Sequence, residues 1–359
     1  MINSLSVKNF KGIQSLELSE LAPITLLGGM NNIGKSSVLD ALFLLYTATF
    51  PDFFSRQYNL REMNAINFDN ERIWNNFFYN LDKTNIIEIE TSSATACHRI
   101  ICKMTQDYST INTSSIETNS NINVGINKNV GFASTLSVSF FINNSETYNA
   151  YIYRNNEGLF FPIVNKSSED NHKPVVNLIF LRPMRSRTIN SQWLSEMDVE
   201  NQLEFVIEML KEVEPRIKGL SVIPALPVNE IYVDIGLKRK IPLKLAGDGI
   251  AHLLSFILAI ANTRNGIVLI DEIENGLHYS IQPKIWEFLM RLVKKFDCQV
   301  IATTHSYGML QAAHEAFKEN NETTNFRYIR LERTDECVRG VTFSPKQLNI
   351  ALERNMEVR

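Results

Sequence analysis

Residues 29–36 read Gly-Met-Asn-Asn-Ile-Gly-Lys-Ser, which is the pattern of a phosphate-binding loop. The two glycines allow the backbone to curl so that its N–H groups point at phosphate oxygens. Lys35 is expected to reach the β- and γ-phosphates of a nucleotide, Ser36 to place its hydroxyl on Mg²⁺, and Ser37 to bond a phosphate nearer the base. The residues predicted to bind the phosphates are Gly29, Asn31, Asn32, Ile33, Gly34, Lys35, Ser36 and Ser37.

The elements on either side of this loop are those that the chemistry requires. The apolar residues 24–27 predict a strand directly before it, and residues 38–43 predict a helix directly after it. The N-terminus of such a helix adds a partial positive charge at the phosphate position. This setting favours a phosphate site over an ordinary glycine turn.

Two acids at the end of a second apolar run supply the metal side of the site. Residues 266–270 are continuously apolar after Gly266 and are followed by Asp271 and Glu272, as expected for a buried parallel strand that delivers carboxylates to a ligand edge. Asp271 is expected to hold Mg²⁺, directly or through water. Glu272 is expected to accept a proton from an attacking water. An acidic helix cap is the alternative, and the phosphate loop makes it less favoured.

Two further segments have the composition of parts of a nucleotide site. The predicted strand 299–304 ends at His305, which could reach a γ-phosphate or could be a surface histidine in a turn. Residues 245–249, Leu-Ala-Gly-Asp-Gly, precede the apolar helix 250–261 and form an anion-binding surface without a lysine. The alternative for this segment is a turn in which Asp248 caps the helix.

Composition places the chain among globular proteins with one large or two medium cores, since 44% of its 359 residues are hydrophobic. The longest apolar run, residues 253–261, is about half of what a membrane span needs, and residues 1–4 do not begin a secretory signal. We therefore expect a cytoplasmic protein that does not enter a membrane.

Charge and cysteine content restrict the possible partners and metals. The net charge of −3 argues against attraction of the whole molecule to nucleic acid, although residues 182–187 and 238–240 could form a local basic groove or simply solvated loops. Four irregularly spaced cysteines indicate free thiols. Cys97, His98 and Cys102 lack a partner pair at zinc-finger spacing, so a strand is favoured there over a metal site.

Residue composition and the predicted elements divide the chain into three stretches. Residues 1–50 hold two predicted strands, the phosphate loop and its helix, whereas residues 51–176 are an insertion with a polar loop at 108–129. Residues 177–359 return to a core, beginning with a predicted strand at 176–181 and a helix at 201–213. Short strands that suggest an antiparallel β subdomain in the insertion are predicted at 86–90, 98–104, 136–142 and 148–153.

Taken in order, these segments resemble the head of ABC-type AAA ATPases, most closely the branch that contains RecF, SMC proteins and the OLD (overcoming lysogenization defect) family. The resemblance is carried by residues 7–12, 29–36, 245–249, 267–272, 274–278 and 305. It implies an α/β fold of the ABC-type P-loop NTPase head, with a mixed sheet and an inserted antiparallel β subdomain. It also implies that the nucleotide is ATP, with Mg²⁺ as cofactor.

In the heads of this family, the glycine-rich signature of one subunit completes the site of another. The resemblance therefore implies a homodimer or higher homo-oligomer around sandwiched ATP, in which Gly247, Asp248 and Gly249 touch the γ-phosphate bound by Lys35 of a second copy. Asn275 corresponds to the dimer-crossing loop, and His305 matches the switch histidine. The signature departs from the family at Ala246, where serine is usual, and at Asp248, where transporters have glycine.

A glutamine lid residue is not evident in the sequence. Residues 74–78 occupy a plausible stretch for one, but their aromatic content favours hydrophobic packing.

OLD proteins carry a Toprim nuclease domain after the ATPase head, whereas only 54 residues follow His305 here. We therefore expect a head that hydrolyses ATP and switches a separate effector, a nuclease or toxin, as in bacterial anti-phage systems. The alternatives are a RecF-like ATPase that binds DNA and acts in repair, and a scaffold that binds nucleotide without turnover. Glu272 argues against the scaffold, because pure binding does not require a general base.

Overall fold

The computed structural model describes residues 1–50, 74–105, 135–154, 160–167, 176–182, 187–225, 229–334, 337–354 and 356–358. The strands in these ranges are β1 Ile2–Phe10, β2 Ile13–Leu18, β3 Ile24–Gly29, β4 Ile87–Ser93, β5 Cys97–Thr105, β6 Thr135–Ile142, β7 Ser145–Arg154, β8 Phe160–Ser167, β9 Leu178–Leu181, β10 Gly219–Ile223, β11 Glu230–Asp234, β12 Ile241–Pro242, β13 Ile267–Ile270, β14 Gln299–Thr303, β15 Phe326–Arg333 and β16 Val338–Phe343. The helices are α1 Lys35–Thr47, α2 Arg187–Val199, α3 Leu203–Lys211, α4 Asp248–Ala261, α5 Gln282–Phe296, α6 Tyr307–Glu319 and α7 Pro345–Glu353.

A six-stranded mixed sheet, in the order β16-β15-β3-β14-β13-β9, carries the predicted site. All of its strand pairs are parallel except β15 with β16. Strands β3, β13 and β14 are buried along their whole length, which explains their continuous apolar sequences. Their parallel arrangement brings their carboxyl ends to one edge of the sheet.

A seven-stranded antiparallel sheet contains the inserted strands, in the order β2-β1-β4-β5-β6-β7-β8. The predicted mixed sheet and antiparallel insertion are therefore confirmed, with one difference in arrangement. The inserted strands do not form a sheet of their own, because β4 pairs with the open edge of β1, where Val7 lies opposite Ile89. Helix α1 packs between the two sheets, and most of its side chains are buried.

The remaining core is built on α4, whose apolar residues are buried almost all round. Helices α2, α3 and α5 pack near it together with a three-stranded antiparallel sheet, β10-β11-β12. Trp74, Phe77 and Phe78 are buried beside α1, as expected for hydrophobic packing. The predicted polar loop at 108–129 lies outside the described residues.

The four cysteines are free thiols, and Cys97 and Cys102 both lie in β5. In the ranges that the structure describes, no group of three His, Cys, Asp or Glu side chains is arranged to hold a metal ion. Among those same residues, no helix has the length and apolar character that crossing a membrane requires.

Candidate nucleotide-binding site

The predicted phosphate loop connects β3 to α1, and its backbone needs glycine at two positions. Gly29 has φ +128° and Gly34 has φ +109°, both in the left-handed region. A Cβ atom added at Gly29 would lie 2.6 Å from the Leu331 carbonyl oxygen of the neighbouring strand β15. The loop therefore follows a path, directly beside β15, that a larger residue at Gly29 would block.

The Lys35 side chain is folded back into this loop and is only 4% exposed. Its Nζ donates hydrogen bonds to the carbonyl oxygens of Gly29, at 2.5 Å, and Met30, at 2.9 Å. Burial lowers the pKa of the ammonium to about 8, against the opposing effect of Glu274 and two further carboxylates. A phosphate anion at the loop would supply the charge that favours the protonated form.

Ser36 and Asp271 lie together at one edge of the sheet, because β3 and β13 are parallel and their carboxyl ends are at the same edge. Ser36 Oγ donates a hydrogen bond to Asp271 Oδ1 at 3.0 Å, and Thr303 Oγ1 donates to the same oxygen at 2.7 Å. A hydroxyl and a carboxylate are oxygen ligands of the type that Mg²⁺ prefers, and this cation commonly takes its other ligands from phosphates and water. The pair therefore fits Mg²⁺ held together with a nucleotide.

Glu272 follows Asp271 in an unusual backbone conformation. Its φ of 52° lies in the left-handed region, and its N–H donates to Thr303 Oγ1 at 2.9 Å. Its Oε1 lies 3.9 Å from His305 Nε2, and both side chains are partly exposed. The two predicted catalytic residues are thus neighbours, each open to water.

Glu274 holds the turn that carries His305, a role that we did not predict. Its Oε1 accepts a hydrogen bond from the His305 N–H at 2.6 Å, and its Oε2 accepts one from Thr304 Oγ1 at 2.8 Å. The only sequence signal was its place two residues after Glu272. This carboxylate fixes the loop after β14 relative to the loop after β13.

The phosphate loop, Glu272, Glu274 and His305 line one cavity of about 920 Å³. Its walls are Gly12, Asn31, Asn32, Ile33, Gly34, Lys35, Ser36, Ser37, Glu272, Glu274, Asn275 and His305. The structure thus brings together the phosphate loop and three residues with predicted roles, namely Glu272 as general base, Asn275 in the dimer-crossing loop and His305 as switch histidine. Gly12 adds a residue from the turn between β1 and β2.

The signature residues do not line this cavity. Leu245 is 73% exposed in a short 3₁₀ turn, and Gly247, with φ +120°, follows that turn. Asp248 and Gly249 begin α4, and a Cβ atom added at Gly249 would lie 3.1 Å from Ile281 Cδ1. Within one chain, therefore, the signature and the phosphate loop are separate surfaces.

A second cavity, of about 480 Å³, shares Glu272 and Asn275 with the first, and the predicted residues Asp271 and Asp248 line this cavity rather than the first. Arg182, at the end of β9, and His252, on α4, are among its walls. Burial lowers the pKa of His252. The predicted general base therefore lines both cavities.

A buried acid on α1 links three parts of the fold around the site. The Asp40 side chain is 1% exposed, and it pairs with Lys11 Nζ at 2.6 Å and with the Arg182 guanidinium. Lys11 lies in the β1–β2 turn, next to Gly12. Asp40 had no role in our sequence prediction, although it is an acid within an otherwise apolar helical stretch.

Comparison with protein families gave two matches. A family described as "AAA ATPase domain" matches residues 1–181, and one described as "AAA domain, putative AbiEii toxin, Type IV TA system" matches residues 134–310. The first match covers half of the chain.

Two curated proteins are similar over most of the chain. An "ATP/GTP phosphatase" of Helicobacter pylori is 24% identical over 98% of each chain. An "OLD nuclease" of Thermus scotoductus is 22% identical over 94% of this chain, which spans 63% of that protein.

Among solved structures, the crystal structure of an Smc head bound to the C-terminal winged-helix domain of ScpA has a similar fold. The TM-score is 0.50 at 13% identity, with 98% of this chain and 99% of that chain covered.

Proposed function

Because this chain belongs to the AAA ATPase domain family, in an ABC-type branch similar to OLD and SMC proteins, we propose that it is an ATP-hydrolysing switch. In this role, copies of the chain close around ATP and control a separate effector, a nuclease or toxin, in bacterial anti-phage defence. The main support is the cavity that Lys35, Ser36 and Glu272 line together, where Ser36 is also hydrogen-bonded to Asp271.

The chain's own side chains supply the steps of hydrolysis. Lys35 and the loop N–H groups bind the β- and γ-phosphates, and Mg²⁺ beside Ser36 and Asp271 would neutralise phosphate charge. Glu272 accepts a proton from the attacking water, whose oxygen bonds to the γ-phosphorus as the bond to ADP breaks. His305, 3.9 Å from Glu272, is placed to donate a hydrogen bond to a γ-phosphate oxygen.

A second copy would complete the site. The signature turn is exposed and separate from its own phosphate loop, so its glycines are accessible to another molecule. Three large apolar side chains near these segments are exposed, namely Met30 in the phosphate loop, Leu245 in the signature and Tyr279 after Asn275. Burying them against a second copy would favour association by the hydrophobic effect.

The role in defence rests on similarity. The AbiEii-like match covers residues 134–310, and the OLD nuclease is similar to nearly the whole chain. This chain spans 63% of the length of that nuclease. The proposal places the effector activity on a separate protein.

Mixing two inactive variants tests the shared site. Lys35→Ala removes the phosphate lysine, whereas Leu245→Asp places a negative charge on the exposed signature. Each variant alone should be inactive, and an equal mixture should recover about a quarter of wild-type ATPase activity, since half of random pairs contain one intact composite site of two. Val199→Asp, at another exposed apolar residue, is the matched control and should remain active.

If the mixture stays inactive while each variant still folds, or if a strictly monomeric protein hydrolyses ATP at the full rate, the shared site is wrong.

Glu272→Gln separates a switch from a scaffold. The switch should bind ATP, stop turnover and accumulate as the closed assembly in size-exclusion chromatography. Phage plating on cells of the source organism that carry this variant then tests defence, because a wild-type level of protection would contradict control by ATP hydrolysis.

A further inference from the structure

Thr303, the last residue of β14, holds three successive residues after β13. Its hydroxyl accepts a hydrogen bond from the Glu272 N–H at 2.9 Å and donates one to Asp271 Oδ1 at 2.7 Å. Its backbone carbonyl accepts a third bond from the Ile273 N–H at 3.0 Å. Thr303 is fully buried, so water does not compete for its hydroxyl. One residue of β14 therefore anchors the turn that carries both predicted acids.

The backbone of Glu272 needs such an anchor. Its φ of 52° lies in the left-handed region, which is sterically disfavoured for a residue with a Cβ atom. A residue stays in this region when the surrounding structure holds it there. The two bonds from Thr303 hold the N–H groups on both sides of the Glu272 Cα atom, namely its own and that of Ile273. They therefore fix the direction in which the Glu272 side chain leaves the backbone.

The hydrogen bonds of the Thr303 hydroxyl form a chain with one direction. Its single proton is directed at Asp271, and its lone pair receives the Glu272 N–H. Ser36 donates to the same carboxylate oxygen of Asp271. Neighbouring bonds in such a chain strengthen one another in a buried place. The chain therefore connects the backbone of the predicted general base to the predicted metal side of the site.

We propose that Thr303 is a positioning residue for ATP hydrolysis, because its hydroxyl sets the Glu272 carboxylate relative to Ser36 and Asp271. This inference rests on the proposed function, since it requires that Glu272 activates the attacking water. Displacing a catalytic group by about 1 Å can slow a reaction by about a hundredfold. The hydroxyl should therefore act on the chemical step, whereas nucleotide affinity depends on Lys35 and the phosphate loop.

A buried threonine in the same sheet shows what a merely structural hydroxyl looks like. Thr25, in β3, is also fully buried. Its hydroxyl accepts a hydrogen bond from the Ala22 N–H at 3.0 Å and donates one to the Ala22 carbonyl oxygen at 3.2 Å. The two threonines thus match in burial and in the number of bonds that the hydroxyl forms. They differ in that the Thr303 hydroxyl bonds to the two predicted acids, so Thr25 supplies the control.

The test compares the variants Thr303→Val, Thr303→Ser and Thr25→Val in steady-state ATP hydrolysis by the full chain. Thr303→Val keeps the side-chain shape but removes the hydroxyl, and its kcat should fall by about tenfold to a hundredfold. Its KM for ATP should stay within about twofold of wild type, because an interaction that acts on the chemical step changes kcat rather than binding. Thr303→Ser restores the hydroxyl and should recover kcat to within about threefold of wild type.

Thermal unfolding separates positioning from folding. The two valine variants each lose two buried hydrogen bonds and should be destabilised to a similar extent. Thr25→Val should nevertheless keep the wild-type kcat. Thr303→Ala removes the same hydroxyl with less steric demand and should lose kcat to the same extent as Thr303→Val.

A wild-type kcat in Thr303→Val, or an equal fall in kcat in Thr25→Val, would overturn the positioning role. Equal activity of Thr303→Val and Thr303→Ser would also overturn it, because the hydroxyl would then have no part. In each of these cases wild type still hydrolyses ATP and loses that activity in Lys35→Ala, so the proposed function stands. Absence of turnover that depends on Lys35 in wild type would instead contradict the proposed function and the positioning role together.

Discussion

Ser36 Oγ lies 3.0 Å from Asp271 Oδ1, and this hydrogen bond joins residues 235 positions apart in the chain. It connects the first turn of α1 to the end of β13, so that the phosphate loop and the acid strand have one fixed separation. Thr303, at the end of β14, holds the same carboxylate oxygen. The start of α1 and the ends of β13 and β14 thus meet at one carboxylate.

Ser36→Ala should weaken ATP binding about tenfold when Mg²⁺ is present, which corresponds to the loss of one hydrogen bond or ligand oxygen of about 1.4 kcal/mol. In EDTA the affinity should be that of wild type, because the hydroxyl then has no metal to bind. Titration with a fluorescent ATP analogue measures both. Ser195→Ala, on α2, is the control for serine removal, and an equal loss with and without Mg²⁺ would contradict the metal role.

ATP binding should take up a proton at pH 9 but not at pH 7. The pKa of Lys35 in the free protein is about 8, below its ordinary 10.5, so the side chain is mostly neutral at pH 9. Phosphates raise that pKa and protonate the amine. Calorimetry in two buffers of different ionisation enthalpy measures the uptake, and Lys35→Arg should abolish it.

The same depressed pKa has a consequence for the stability of the free protein. Between pH 8 and 10.5 the unfolded chain binds more protons than the folded chain, so stability contributed through Lys35 should rise with pH in this window. No such rise should occur with saturating nucleotide. A free energy of unfolding that falls through this window in wild type but not in Lys35→Arg would contradict the assignment.

Asp40→Asn should destabilise the protein by about 3–5 kcal/mol, because it leaves the Lys11 and Arg182 charges without their shared carboxylate in a buried place. Denaturant unfolding measures this loss. Glu88→Gln breaks the exposed pair with Lys8 and should cost at most about 1 kcal/mol. Similar losses in the free energy of unfolding for the two variants would mean that the ion pairs of Asp40 do not stabilise the fold more than an exposed pair does.

Gly29→Ala should destabilise the fold and prevent ATP binding. The left-handed backbone alone costs alanine about 1–2 kcal/mol, and the contact with the Leu331 carbonyl adds to this. Gly219→Ala is the control, since nothing lies within 4 Å of a Cβ atom there. Thermal unfolding and ATP binding of the two variants should differ clearly, and wild-type behaviour of Gly29→Ala would contradict the described loop path.

The sequence alone predicted those parts of the site and fold whose residues are contiguous in the chain. The phosphate loop, the strand before Asp271 and the apolar helix 250–261 each show a local spacing or run, and the resemblance to ABC-type OLD and SMC heads that they suggested is confirmed. The mixed sheet followed from the same runs, because buried parallel strands are apolar without alternation.

Contacts between distant residues could not be predicted. Asp40 meets Arg182 across 142 positions, and Glu274 meets the His305 N–H across 31 positions, so neither pairing leaves a local pattern. The pairing of the insertion with β1 was missed for the same reason. Alternating strands specify a buried face but not which neighbour occupies an edge.

Strand β3, which leads into the phosphate loop, has β14 and β15 as its two neighbours, and both are encoded near the other end of the chain. During synthesis, the loop therefore leaves the ribosome long before Leu331, whose carbonyl lies beside Gly29. Contacts of such large sequence separation form late in folding. A nascent chain should therefore remain unable to bind nucleotide until residue 331 has left the ribosome.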